Sequence, residues 1–169
     1  MRIFSIFVLF FAAALIPIKS DAAKDYYLAS PEQIARIIDA GSGQGRRVVF
    51  LYASWCGYCR AHLPEIIKIE KEKKGSVIAI SLDKDPDTFA RYISTRHGDD
   101  FPLVPIVWNR EGDLHRALKR FGIEPTNAIP FSAWLDEQGY MKQQGVIKPA
   151  ATKEYILGNK KAPKDIQGL

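Results

Sequence analysis

Two short apolar runs with an amphipathic stretch between them constrain the fold of this chain more than any other feature. Val48-Val49-Phe50-Leu51-Tyr52-Ala53 and Val77-Ile78-Ala79-Ile80-Ser81-Leu82 are nearly unbroken apolar segments, the pattern of strands covered on both faces. Between them Leu63, Ile66 and Ile67 recur at helical spacing, and Gly75 marks the end of that helix. A strand, helix, strand unit over residues 47–82 requires a crossover, and with it parallel pairing and a right-handed connection. The expected class is therefore α/β.

The flanking sequence adds elements to this unit. Ser30-Pro31-Glu32-Gln33 starts a helix, with Ser30 as N-cap, Pro31 at the first helical position and Gln33 completing a capping box. Ile34, Ile37 and Ile38 share its inner face, and Gly41 closes it. Asp85 caps a further helix from Pro86 that carries Phe89, Tyr92 and Ile93 and stops at Gly98. The apolar segment Phe101 to Trp108 contains Pro102 and Pro105, which predicts an edge strand or irregular chain. A helix from about Asp113 gathers Leu114, Ala117, Leu118 and Phe121, and Gly122 ends it. Phe131 to Leu135 and Tyr140 to Ile147 flank Asp136-Glu137-Gln138-Gly139 as a hairpin, and a short helix from Pro149 to Leu157 follows.

The ends of the chain read differently. Arg2 precedes an apolar run from Ile3 to Ile18, and small residues lie around Ser20-Asp21-Ala22-Ala23. This pattern predicts an export signal over residues 1–22 with cleavage after Ala22, the alternative being an uncleaved anchor formed by residues 3–18. The expected domain spans residues 23–158, and lysine-rich residues 159–169 are expected to be a flexible basic tail. The whole chain carries 24 Lys and Arg against 19 Asp and Glu, a net charge of +5. These basic residues, Arg46 and Arg47 among them, are interleaved with acids rather than gathered with aromatics, so they read as solvated surface and not as a nucleic-acid face.

The chemistry rests on Cys56 and Cys59, the only two cysteines of the chain, three residues apart at the start of the predicted helix. There, unpaired backbone N–H groups and the helix dipole favour a thiolate on Cys56, and Cys59 lies one turn further on. This pattern predicts that Cys56 attacks a disulfide and Cys59 resolves the mixed disulfide. A structural disulfide and half of a metal site are the alternatives. Zinc normally needs four ligands, and only His62 is close in sequence. Soft thiolates suit Cu(I), so a copper-carrying module remains a reading of a different class. No cofactor and no resident metal are expected.

The segment Val48-Val49-Phe50-Leu51-Tyr52-Ala53-Ser54-Trp55-Cys56-Gly57-Tyr58-Cys59 resembles the thioredoxin superfamily, in particular its exported TlpA/ResA-like thiol:disulfide oxidoreductases. Pro64, five residues after Cys59, and Ile129-Pro130 before the penultimate strand extend the resemblance. It implies a thioredoxin-like fold, a mixed central sheet flanked by helices, with an inserted helix and apolar segment after the second core strand. It further implies that Pro130 is a cis-proline packed beside the cysteines and that the Ile129 backbone pairs with an extended substrate. Trp55, Gly57 and Tyr58 complete the expected substrate-binding set, with Trp55 screening the nucleophile and Tyr58 exposed.

The sequence also departs from the family. Phe50 stands where thioredoxin has a buried aspartate, and His62 stands where many TlpA-like proteins have glutamate, which makes His62 a candidate proton shuttle. The stretch before Ser30 is too short for the N-terminal hairpin of that branch. Expected partners are protein thiols or disulfides and a membrane protein that donates electrons, with membrane contact only through an uncleaved N-terminal segment. The expected location is periplasmic or otherwise exported, and the expected direction is reduction. Oxidation or isomerisation is the alternative, because Gly57-Tyr58 resembles the centre of periplasmic disulfide isomerases.

Overall fold

The computed structural model describes residues 26–98 and 101–158. The expected signal or anchor (1–22) and the basic tail (159–169) lie outside the described residues. In chain order the elements are β1 (Tyr27–Ala29), α1 (Pro31–Ala40), β2 (Arg47–Tyr52), α2 (Gly57–Glu72), β3 (Val77–Ser81), α3 (Pro86–His97), β4 (Ile106–Trp108), α4 (Leu114–Lys119), β5 (Phe131–Leu135), β6 (Met141–Gly145) and α5 (Pro149–Leu157). The strands form one mixed sheet in the order β1-β4-β3-β2-β5-β6. β1, β4, β3 and β2 run parallel, and β5 is antiparallel to both β2 and β6. This is the thioredoxin-like fold with the inserted helix and strand after β3.

Strand alternation divides the core in two. Val48, Phe50 and Tyr52 of β2 face a cluster built with Leu63, Ile66 and Ile69 of α2, Phe89 and Ile93 of α3, and Tyr155 and Ile156 of α5. Val49 and Leu51 face the opposite cluster, with Ile34 and Ile38 of α1 and Leu114 and Leu118 of α4. Both faces of β2 are covered, as its unbroken apolar run requires.

Helix α1 starts with the expected capping box: the Gln33 N–H donates to Ser30 Oγ at 3.3 Å, and the Ser30 N–H donates to the Gln33 side chain at 2.8 Å. Its end depends on glycine for space, since a Cβ on Gly41 would lie 2.7 Å from Cζ of Arg47. Arg47 is not the solvated residue expected. It is 2% exposed, and its Nη1 donates to the Ile38 carbonyl at 2.8 Å, placing a cation at the negative end of α1.

The sheet also corrects the reading of residues 101–108. β4 is an interior strand between β1 and β3. Pro102 and Pro105 precede it, so no ladder N–H is lost within it. The Pro105 carbonyl instead accepts from the Tyr27 N–H at 2.8 Å and joins β1 to the sheet. β1 itself is an element that sequence reading did not anticipate.

Across β5, Trp134 stacks on Tyr155 of α5 with ring centroids 4.6 Å apart, and Trp134 Nε1–H donates to Thr152 Oγ1 at 3.2 Å. Burial pushes the Tyr155 phenol up to about 12, against the opposing pull of Arg46, whose guanidinium lies over its ring. The folded chain therefore retains this proton at pH values where the unfolded chain releases it. The stability contributed is complete below about pH 10 and lost as pH rises toward about 12. The Tyr155 hydroxyl is buried without a hydrogen-bond partner, so Tyr155→Phe removes no bond. Urea unfolding followed from about pH 9 to about pH 11.5 should show a shallower alkaline loss of stability in Tyr155→Phe than in the unsubstituted chain.

Candidate active site

The site grows out of the end of β2. After Tyr52 the chain turns, with the Cys56 N–H donating to the Ala53 carbonyl at 3.2 Å, and enters α2 with Cys56 as N-cap in extended conformation (φ −83°, ψ 114°). Its sulfur takes the place of an N-cap oxygen and accepts the Cys59 N–H at 3.1 Å. Cys56 and Cys59 are joined as a disulfide, with Cα atoms 5.2 Å apart. Cys56 is 8% exposed and Cys59 0%, so of the two residues only Cys56 keeps any contact with solvent. No acidic residue lies in the first turn of α2 to offset the positive helix end. Pro64 sits inside α2, as the resemblance implied.

Ile129 and Pro130 approach from the other side of the site. Their peptide bond is cis, and the Ile129 carbonyl oxygen lies 3.6 Å from Cys56 Sγ, an approach that a thiol turns into a hydrogen bond. Pro130 is buried, and Ile129 is partly buried against the cysteine-bearing cluster. Trp55 and Tyr58 project outward at 65% and 77% exposed, and Gly57 between them is exposed as well. Trp55, expected to screen the nucleophile, thus presents most of its ring to solvent. His62 is half-buried one turn beyond Cys59, and its Nδ1 is buried without a hydrogen-bond partner. Among the described residues no hydrogen bond ties it to either sulfur.

Sequence reading missed what lies beneath the loop. Asp83, two residues beyond the end of β3, is 3% exposed and accepts three hydrogen bonds: from Ser54 N–H at 2.9 Å, Ser54 Oγ–H at 2.6 Å and Ser81 Oγ–H at 2.5 Å. The available signal was an acid two residues beyond Ser81, the last residue of an otherwise apolar strand. Tyr52 is buried close by, and burial together with the Asp83 charge pushes its phenol far above the usual tyrosine range. Phe50 is buried and stacks on Tyr52 with centroids 5.5 Å apart, so an aromatic pair fills the place where the resemblance implied an acid. Among the described residues no group of three or more His, Cys, Asp or Glu side chains is arranged to hold a metal ion.

The sequence pattern of the Redoxin family matches residues 21–155. The chain belongs to the Redoxin family. It is 30% identical over 112 residues to the chloroplastic thioredoxin-like protein HCF164 of Oryza sativa subsp. japonica, and 29% identical to its Arabidopsis thaliana counterpart. Each match covers 66% of this chain but only 31% of the relative's length. Among solved structures, a thiol:disulfide interchange protein of the thioredoxin family from Chlorobium tepidum TLS has a TM-score of 0.57 at 19% identity, covering 70% of this chain and 82% of its own. The exposed lipoprotein thioredoxin Etrx1 of Streptococcus pneumoniae has a TM-score of 0.53, also at 19% identity, covering 71% and 88% respectively. These two likenesses establish the thioredoxin fold. With a CxxC disulfide on that fold in this family, the domain is an oxidoreductase.

The unequal burial of the two sulfurs has a measurable consequence. In the reduced, folded chain, limiting iodoacetamide should alkylate Cys56 at least ~10-fold faster than Cys59, because the thiolate must be both accessible and electrostatically favoured. Peptide mass spectrometry reads the ratio, and it should collapse toward unity in denaturant.

Proposed function

We propose that this domain is a thiol:disulfide exchange enzyme that reduces protein disulfides outside the cytoplasm, with Cys56 as nucleophile and Cys59 as resolving thiol. The observation that carries the reading is the N-cap placement of Cys56. Its sulfur receives the Cys59 N–H at the positive end of a 16-residue helix, while Cys59 is fully buried behind it.

The reaction begins from the reduced pair. The Cys56 thiolate attacks one sulfur of a substrate disulfide, forming a mixed disulfide and releasing the other substrate sulfur as thiolate. Cys59 loses its proton and attacks Cys56 Sγ, which expels the second substrate thiolate and leaves the Cys56–Cys59 disulfide present in the structure. Two electrons pass to the substrate, and two protons come from the two thiols. A dithiol partner must then return two electrons, a task suited to a membrane-bound donor.

Ile129 and Pro130 form one wall of the substrate site and Trp55, Gly57 and Tyr58 the other, so an extended polypeptide can lie across Cys56. His62, half-buried one turn beyond Cys59, is the proposed carrier for the proton that leaves Cys59. The TlpA/ResA-like resemblance, with Ile129 before Pro130, supports the reducing direction. Arg2, the apolar run Ile3–Ile18 and the small residues that follow support export. Among the described residues no helix is long and apolar enough to cross a membrane.

Titration of the pair against a defined thiol buffer should give a potential near or below about −250 mV, on a scale where thioredoxin lies near −270 mV and a strong periplasmic oxidant near −120 mV. A value of about −150 mV or higher overturns the reducing direction. No reversible transition, together with tight Cu(I) uptake, overturns the enzyme reading. Expressed with its export segment in a bacterial cell, Cys59→Ser should accumulate reducible mixed disulfides through Cys56, and finding none overturns the assigned roles.

A further inference from the structure

The carboxylate of Asp83 is the least expected group near the disulfide. Burying a charge is costly unless hydrogen bonds or an opposite charge compensate it. Asp83 receives hydrogen bonds only: it accepts from two serine hydroxyls and one backbone N–H, and no ion pair among the described residues reaches it. Accepting at every position is how an ionised carboxylate bonds. Two of the three bonds come from Ser54, and two peptide units place the Ser54 and Cys56 Cα atoms no more than about 7 Å apart. The Tyr52 and Tyr92 phenols both feel the Asp83 charge, and cations stand further round it: Arg60 and Arg96 act on Tyr92, and Arg110 Nη2 donates to the carbonyl of neighbouring Leu82 at 2.8 Å.

We propose that Asp83 is a positioning residue of the disulfide site: its paired bonds to Ser54 fix the loop that presents Cys56, and its buried charge biases the pair toward the disulfide. The inference rests on the exchange reading above and deepens it. Reduction replaces a neutral disulfide with thiols, one of which carries negative charge as the working nucleophile. A fixed anion under the loop repels that charge but leaves the disulfide unaffected. The helix end favours the thiolate and Asp83 opposes it, so the pair donates electrons more readily than helix placement alone would allow.

Asp83→Asn and Ser54→Ala test this in the full-length chain. Asp83→Asn keeps the size and one oxygen acceptor but removes the charge. Its thiol–disulfide equilibrium constant should move about tenfold toward the dithiol, equivalent to a potential roughly 30 mV more positive, and the thiolate absorbance of Cys56 should appear at lower pH. A purely structural role would lower the unfolding midpoint without moving either quantity. Ser54→Ala keeps the charge and loosens the loop, so exchange with a model disulfide should slow about tenfold while the equilibrium constant moves less than twofold. A folded Asp83→Asn with an equilibrium constant within twofold of the unsubstituted chain overturns the electrostatic role. Ser54→Ala exchanging at the unsubstituted rate overturns the positioning role, and it does so even where Asp83→Asn fails to fold. If the unsubstituted chain shows no reversible thiol–disulfide equilibrium, the exchange reading itself has failed.

Discussion

Complete burial of β2 is the constraint on which the rest of the structure depends. A strand with both faces covered and neighbours on both edges has every backbone group paired in the sheet, and its side chains serve two cores at once. The chain can leave such a strand only at its end. Because β3 is parallel to β2 and β5 antiparallel, the carboxyl ends of β2 and β3 and the amino end of β5 meet at the same rim of the sheet. The loop before Cys56, the turn holding Asp83 and the Ile129-Pro130 pair converge there through topology alone. This is the rim where open α/β sheets usually place their ligand sites.

At that rim, opposing local fields act on one sulfur. The start of α2 supplies unpaired N–H groups, one of them already aimed at Cys56 Sγ, and no first-turn acid weakens their effect. The carboxylate of Asp83 is held below the same loop by bonds that cannot rearrange without disturbing Ser54. Burial makes the two sulfurs unequal. Cys56 keeps slight exposure beside exposed Trp55 and Tyr58, while Cys59 is fully buried in the cluster that holds Leu63, Ile66 and the aromatic residues of β2. The inequality of the two sulfurs, on which the proposed roles of nucleophile and resolving thiol rest, thus follows from where the helix starts.

Much of this was legible in the sequence because it is encoded locally. The capping box at Ser30, the apolar runs of β2 and β3, the Asp136–Gly139 turn and the cysteine spacing each lie within a few consecutive residues. What was missed depends on partners distant in sequence. The three residues of β1 are too few to show a period, and they are a strand only because the Pro105 carbonyl and β4 receive them. Pro102 and Pro105 suggested an edge because their position relative to the first ladder residue was not visible. Arg47 looked like surface because charge usually is surface, and the carbonyl that accepts from it lies at the end of another element. Asp83 was not singled out at all, since Ser54, which gives it two of its three bonds, lies 29 residues away in sequence.

The inserted segment also does more than widen the sheet. Helix α3 begins at the Asp85 cap, two residues after Asp83, and lays fully buried Phe89 against Tyr52 at a ring-centroid distance of 6.0 Å. Tyr52 in turn stacks on Phe50. The three rings belong to the same buried cluster as the two cysteines, and Tyr52 and Tyr92 both feel the Asp83 charge. Asp83 is itself only 3% exposed, so water screens its charge weakly, and Ser54, which bonds it, leads directly to Cys56. Phe50 fills β2 with an aromatic ring, and the buried carboxylate of this rim stands instead between β3 and the helix that follows it.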